Sequence, residues 1–121
     1  QRQMCIRDRF YMLPVYLFTV EIIATDEMDE AQFHEHIDPS LSHLHSLQGS
    51  FDRKQSTLAY YPPSEQLDGC NRWSARGVVL ISVGKERAEH LKQLFEAIYR
   101  LIGFELPDFD LRAKGEELKF E

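Results

Sequence analysis

Four of the five histidines form two close pairs, His34 with His36 and His43 with His45. Imidazoles bind divalent metals, and on a helix the ligands of one ion lie three or four residues apart. Residues two apart on a helix point about 200° away from each other, and seven residues span about 10 Å. We therefore predict no metal site and expect these imidazoles to border the buried face of a helix. A helix break at Pro39 is the alternative that would bring the two pairs together.

Gly84 and Lys85 lie between an apolar segment and a helical one, where a phosphate-binding loop would stand. That loop needs a glycine five residues before the second glycine, and a serine or threonine after the lysine. Val79 and Glu86 occupy those two positions. The sequence thus predicts no nucleotide site, no cofactor and no catalytic residue.

Arg76-Gly77, at the head of an apolar strand, resembles the start of the RNA-recognition-motif signature. The resemblance implies a sheet whose exposed aromatic residues stack on bases. Val78, Leu80 and Ser82 take the corresponding positions here, and the net charge of −6 repels phosphate. We expect no nucleic-acid partner.

Residues 4–9 read MCIRDR, which resembles the translation of a sequencing-library adapter, a contaminant of environmental assemblies. We predict that residues 1–11 are a non-native extension and that 12–121 form one α+β domain. A basic arm that binds nucleic acid is the alternative.

Without Cys5, only Cys70 remains, so no internal disulfide can form and a cytoplasmic location is expected. The longest apolar run is too short to span a membrane.

Six segments show strand or helix periodicity. In order they are a strand at 15–24, a helix ending at 48–49, strands at 55–61 and 72–83, a helix at 85–102 and a charged segment at 110–121. This order predicts a ferredoxin-like βαββαβ fold, a four-stranded antiparallel-type sheet with two helices on one face. We expect the first helix to kink or restart at Pro39, Gly103 to cap the second helix, and the last segment to be an edge strand or disordered.

The side of the predicted sheet that the helices leave open has an apolar centre and a polar rim, which is typical of an interface. The candidate binding residues on it are Leu17, Glu21, Tyr61, Arg72, Arg76, Val78 and Leu80. We therefore expect a small interaction or regulatory domain that forms a homodimer through this face, or that binds a protein partner there.

Two other function classes remain open. A small-molecule-binding protein or enzyme of the dimeric ferredoxin-like barrel type would use Arg72 or Arg76 to bind an anionic ligand, and His34 or His45 as acid–base groups. An acidic inhibitor, such as an immunity or counter-defence protein, would present the carboxylates of the first helix. Those carboxylates are Glu27, Asp29, Glu30 and Glu35.

Overall fold

The computed structural model describes residues 14–51 and 57–118, and for residues 48–51 it describes the backbone alone. The predicted non-native extension lies outside the described residues. Within these ranges, five strands and three helical segments follow one another along the chain. They are β1 Val15–Ala24, α1 Glu30–Leu41, α2 Leu44–Phe51, β2 Thr57–Tyr60, β3 Glu65–Leu67, β4 Arg72–Ser82, α3 Lys85–Glu105 and β5 Phe109–Leu118.

All strand pairs in the sheet are antiparallel, and the spatial order is β2-β4-β1-β5, with β3 also paired to β4. The two most apolar strands, β1 and β4, are central, as predicted. The order along the chain is strand, helix, helix, strand, strand, strand, helix, strand. The predicted βαββαβ order is therefore wrong, because the first helical region has two segments and the sheet has a fifth strand.

The fifth strand, β3, lies where the sequence predicted only a connector. It pairs Glu65 with Ser74 and Leu67 with Arg72. The turn between β3 and β4 contains Asp68 and Gly69, whose φ angles are 51° and 69°. Glycine adopts such angles without strain, and aspartate tolerates them better than most residues. The predicted β2 began at residue 55, but residues 52–56 lie outside the described ranges.

The break in the first helical region falls after Pro39, which lies inside α1. Asp29 begins α1 with a capping box, since its carboxylate accepts from the Gln32 N–H at 2.8 Å. The chain then turns at Ser42 and His43 before α2 begins. The apolar residues at helical spacing keep their phase across this turn and are all buried, namely Phe33, Ile37, Leu41, Leu44 and Leu47.

The predicted end of the second helix is wrong, because α3 continues past Gly103 to Glu105. The N–H of Leu106 bonds to the Ile102 carbonyl at 2.9 Å, and Leu106 is buried. Burial of this leucine favours one further turn of helix before Pro107. The last predicted segment is a strand: β5 pairs along its whole length with β1.

The helices cover one face of the sheet, as predicted. The rings of Phe18 on β1 and Phe95 on α3 lie 4.5 Å apart. A side chain added at Gly77 on β4 would meet Leu44 of α2. Alternate residues of β1 are buried beneath the helices, as the two-residue period predicts, namely Tyr16, Phe18, Val20, Ile22 and Ala24.

Candidate functional site

A bulge interrupts the sheet edge formed by β2 and β3. Tyr60 pairs with Val78 and Glu65 pairs with Ser74, so residues 61–64 lie opposite only residues 75–77 of β4. Two of these four residues are consecutive prolines, which have no N–H to donate to the sheet. The extra residue reverses the alternation of side chains beyond it.

Tyr61 lies on the helix side of the sheet by the regular alternation of β2, and the reversal places Ser64 on the same side. The Tyr61 ring packs over Gly77, where an added Cβ would lie 3.1 Å from Cε1 of the ring. It also lies 5.6 Å from the His45 ring, and burial raises the pKa of Tyr61. Tyr61 therefore does not rim the open face as predicted.

Ser64 joins three side chains of α1 in a chain of hydrogen bonds. His34 Nδ1 lies 3.1 Å from Asp38 Oδ1, and His34 Nε2 lies 2.9 Å from Ser64 Oγ. The Ser64 hydroxyl donates to Glu30 Oε2 at 2.7 Å. One imidazole thus contacts a carboxylate at one nitrogen and a hydroxyl at the other.

These groups line a cleft of about 490 Å³ between α1 and the bulge. The rest of its lining is largely apolar, and it includes Arg76 of β4, which also lies beside Glu21 and Arg112 on the open face. The remaining lining residues are Leu41, Ser42, His45, Tyr61, Pro62, Pro63 and Ala75. The cleft is open to solvent, with 37% of the His34 side chain and 63% of the Asp38 side chain exposed.

A second polar cluster joins the α1–α2 region to the end of α3. The Ser40 hydroxyl donates to Glu105 Oε1 at 2.9 Å, and His43 Nε2 lies 2.8 Å from the same oxygen. These two hydrogen bonds, with the charge of His43, lower the pKa of Glu105 from its ordinary value. The first and last helical segments are therefore linked through an ionised carboxylate.

We expect this link to stabilise the protein at neutral pH and to fail in acid. Because the pKa of Glu105 is lowered on folding, its contribution is complete above the ordinary value of 4.5 and is lost as pH falls through the lowered pKa. Glu105→Gln should lower the melting temperature at pH 7, and the difference from wild type should shrink toward pH 3.

Glu96→Gln is the matched control for that experiment. It removes an exposed ion pair in which Glu96 and Arg100 lie 2.6 Å apart, and such pairs contribute about 0–1 kcal/mol. A difference in melting temperature between wild type and Glu105→Gln that stays the same from pH 7 to pH 3 would contradict this role of Glu105.

The open face presents its side chains in rows across four strands. The first row is Leu58, Leu80, Leu17 and Glu116, and the second is Tyr60, Val78, Thr19 and Lys114. In a third row, Glu21 lies between Arg76 and Arg112. The first two rows are apolar on β2 and β4 and at Leu17 of β1, and they become polar at Thr19 and on β5. The third row is charged.

The structure brings five of the seven predicted binding residues together on this face. Leu17, Val78 and Leu80 lie at its centre, and Glu21 pairs in register with Arg76. Arg72 lies at the far end of β4, and its guanidinium is 3.9 Å from Asp68. Tyr61 is on the other side of the sheet.

Sequence reasoning did not name Leu58, Tyr60 or Ser64 as site residues. Leu58 and Tyr60 are 60% and 58% exposed on the open face. Their alternation along β2 was a visible signal, since it places both side chains on one face of a strand. Ser64 follows two prolines, but its orientation depends on the pairing of two strands with β4.

Among the described residues, no three His, Cys, Asp or Glu side chains are grouped so that they could hold a metal ion. None of the described helices is long and apolar enough to cross a membrane.

Two of the four carboxylates considered for an inhibitor surface have structural contacts. Asp29 caps α1, and Glu30 accepts the Ser64 hydrogen bond.

Comparison with protein families and with curated proteins gives no match. Solved structures do share the fold. A de novo designed protein, Foldit4, has a TM-score of 0.54 and 13% identity, over 84% of this chain and 96% of its own. An amidase of the hydantoinase/carbamoylase family from Burkholderia vietnamiensis has a TM-score of 0.57 and 6% identity, over 88% of this chain.

A VAO-type flavoprotein from Myceliophthora thermophila C1 has a TM-score of 0.53 and 12% identity, over 88% of this chain. The chain spans 28% of the amidase and 18% of the flavoprotein. At these identities the likeness concerns the fold alone. The protein is thus similar to one designed domain and to parts of larger enzymes, as a small α+β domain with an open antiparallel sheet.

Proposed function

We propose that this protein is a self-associating module whose open sheet face binds a second copy of the same face. The observation that carries the proposal is the apolar surface formed by the first two rows. Leu58 and Tyr60 are more than half exposed there, and they continue the partly buried Leu80, Val78 and Leu17. Contiguous apolar surface with a polar border is a feature of protein interfaces.

The dimensions of the face suit a dimer. β1, β4 and β5 are each about 33 Å long and β2 is about 13 Å long, so with strands about 4.8 Å apart the face measures roughly 550 Å² per copy. Two copies would bury about 1,100 Å², which exceeds the about 1,000 Å² expected of a biological interface.

The charged third row favours a second copy over a partner of one charge sign. It contains both signs, with Glu21 between Arg76 and Arg112 and the Glu21–Arg112 contact at 3.9 Å. A two-fold axis places the same patch on both copies. A patch with both signs can therefore meet itself without like charges facing each other.

Leu58→Glu tests this proposal with little risk to the fold, because 60% of the residue is exposed. A two-fold interface loses the leucine twice and must place two carboxylates in an apolar contact. We expect the dimer dissociation constant to rise at least about a hundredfold. Sedimentation equilibrium of the full chain measures it.

The matched control is Phe104→Glu, which adds the same charge at a residue that is 85% exposed on α3. This variant should dimerise like wild type. A wild-type chain that stays monomeric at the highest attainable concentration would overturn the proposal. Equal weakening of the dimer by both substitutions would also overturn it, since the loss would then follow net charge.

A further inference from the structure

We propose that the cleft beside α1 is an ester-cleaving site in which Ser64 is the nucleophile, His34 the general base and Asp38 a residue that positions His34. This activity goes beyond self-association and uses the opposite side of the sheet. The observation behind it is the continuous chain from Asp38 Oδ1 to His34 Nδ1, 3.1 Å, and from His34 Nε2 to Ser64 Oγ, 2.9 Å.

The three groups stand in the order carboxylate, imidazole and hydroxyl, which is the order of groups around a nucleophilic serine. When the imidazole is neutral and donates its Nδ1–H to Asp38, Nε2 carries a lone pair directed at Ser64. The two distances lie within the range for nucleophile–base and base–carboxylate contacts. The same arrangement of roles occurs on unrelated folds, so it is recognised by geometry and not by sequence position.

Rigid elements hold these groups in place. His34 and Asp38 are one helical turn apart on α1, whose first turn is fixed by the Asp29 capping box. Ser64 follows two prolines in the bulge, which limits the backbone freedom of the nucleophile. Sites supported in this way keep their geometry when a ligand enters.

The reaction balances with water as the only co-reactant. Ser64 Oγ forms a bond to the ester carbonyl carbon, and its proton passes to His34 Nε2. The tetrahedral intermediate then breaks its bond to the alkoxy oxygen, which takes that proton and leaves as the alcohol. Water attacks the acyl-serine with His34 again as base, and the carboxylic acid and the free Ser64 hydroxyl are released.

The cleft lining indicates the substrate class. About 490 Å³ of space is bordered by Leu41, Tyr61 and both prolines, which favours a small ester with an apolar acyl group.

Glu30 competes with His34 for the single proton of Ser64. In the structure, the hydroxyl donates to Glu30 Oε2 at 2.7 Å. Removing this acceptor leaves His34 Nε2 as the acceptor at 2.9 Å. Glu30→Ala should therefore make Ser64 react several-fold faster, whereas His34→Gln should make it about a hundredfold slower.

An alkyl fluorophosphonate is the probe, because the attacking serine displaces fluoride and stays covalently labelled. Intact mass and peptide mapping of the full chain should find one adduct per chain, on Ser64, and Ser64→Ala should remove it. The rate of p-nitrophenyl acetate hydrolysis should also fall in Ser64→Ala. Asp38→Asn should slow labelling about tenfold or more and shift its pH profile, which a purely structural role would not do.

Two residues outside the cleft provide the controls. Ser82→Ala removes a hydroxyl at the end of β4, and His36→Gln removes an imidazole that contacts the Phe109 ring. Both variants should label like wild type. Absence of an adduct on Ser64, or an unchanged labelling rate in His34→Gln, would overturn the proposal. Neither result depends on whether the open face forms a dimer.

Discussion

Phe33→Ala should lower the free energy of unfolding by about 3–5 kcal/mol, which is the usual cost of truncating a buried phenylalanine. Phe33 lies on the buried face of α1 and is fully buried. Its ring packs against Phe109 of β5, with centroids 6.1 Å apart, and edge-on to the His34 ring at 5.7 Å. The cavity left by the substitution lies between the helix and the sheet, where neither can collapse without moving the other. Urea unfolding followed by circular dichroism measures the change.

Phe104→Ala makes the same chemical change at a residue that is 85% exposed. It should alter the free energy of unfolding by no more than about 0.5 kcal/mol. Because Phe33 supports the His34 ring, Phe33→Ala should also slow fluorophosphonate labelling under conditions where the variant remains folded. A loss below about 1 kcal/mol would show that Phe33 is not packed as described.

Gly77→Ala should destabilise the protein by about 1–3 kcal/mol, the usual cost of overpacking a core. The added Cβ would overlap Cδ1 of Leu44 and would lie 3.1 Å from Cε1 of Tyr61. Leu44 is fully buried, so its side chain has no free space to enter. The Tyr61 ring should move outward, and its pKa should fall back toward 10.0 as its burial decreases.

Gly103→Ala is the informative comparison because it should change stability in the opposite direction. Gly103 lies within α3, and among the described residues an added Cβ would meet Leu111 Cδ2, at 3.5 Å, which is ordinary van der Waals contact. Alanine is favoured over glycine in a helix by about 0.5–1 kcal/mol. Urea unfolding and an ultraviolet absorbance titration of the tyrosines follow both variants. If both substitutions stabilise the protein, Leu44 of α2 is not packed against Gly77 of β4.

The parts of the fold that follow from local periodicity could be predicted from the sequence. The buried face of β1 and the apolar stripe from Phe33 to Leu47 are present as expected, because alternation and helical spacing are properties of neighbouring residues. The buried residues of α3 are likewise those that the helical period selects, namely Ala88, Leu91, Phe95, Ile98 and Ile102.

The features that depend on distant pairing could not be predicted. Pro62 and Pro63 indicate the end of a strand, but a local pattern does not show that the chain rejoins the same edge at Glu65. The orientation of Ser64 follows from that second pairing, and so does its contact with His34 thirty residues earlier. Gly103 was predicted as a cap from its type and from its neighbours along the chain, whereas the burial of Leu106 determines where the helix ends.

The two edges of the sheet limit how copies of this chain can grow into larger assemblies. One edge is interrupted by two prolines, which offer no N–H to an incoming strand. The other, β5, carries charged side chains along most of its length, namely Asp110, Arg112, Lys114, Glu116 and Glu117. Strand addition at an edge can repeat without limit and build a fibre, whereas face-to-face contact is complete after two copies. A sheet with an exposed apolar face and such edges resists open-ended polymerisation while leaving a closed pair accessible.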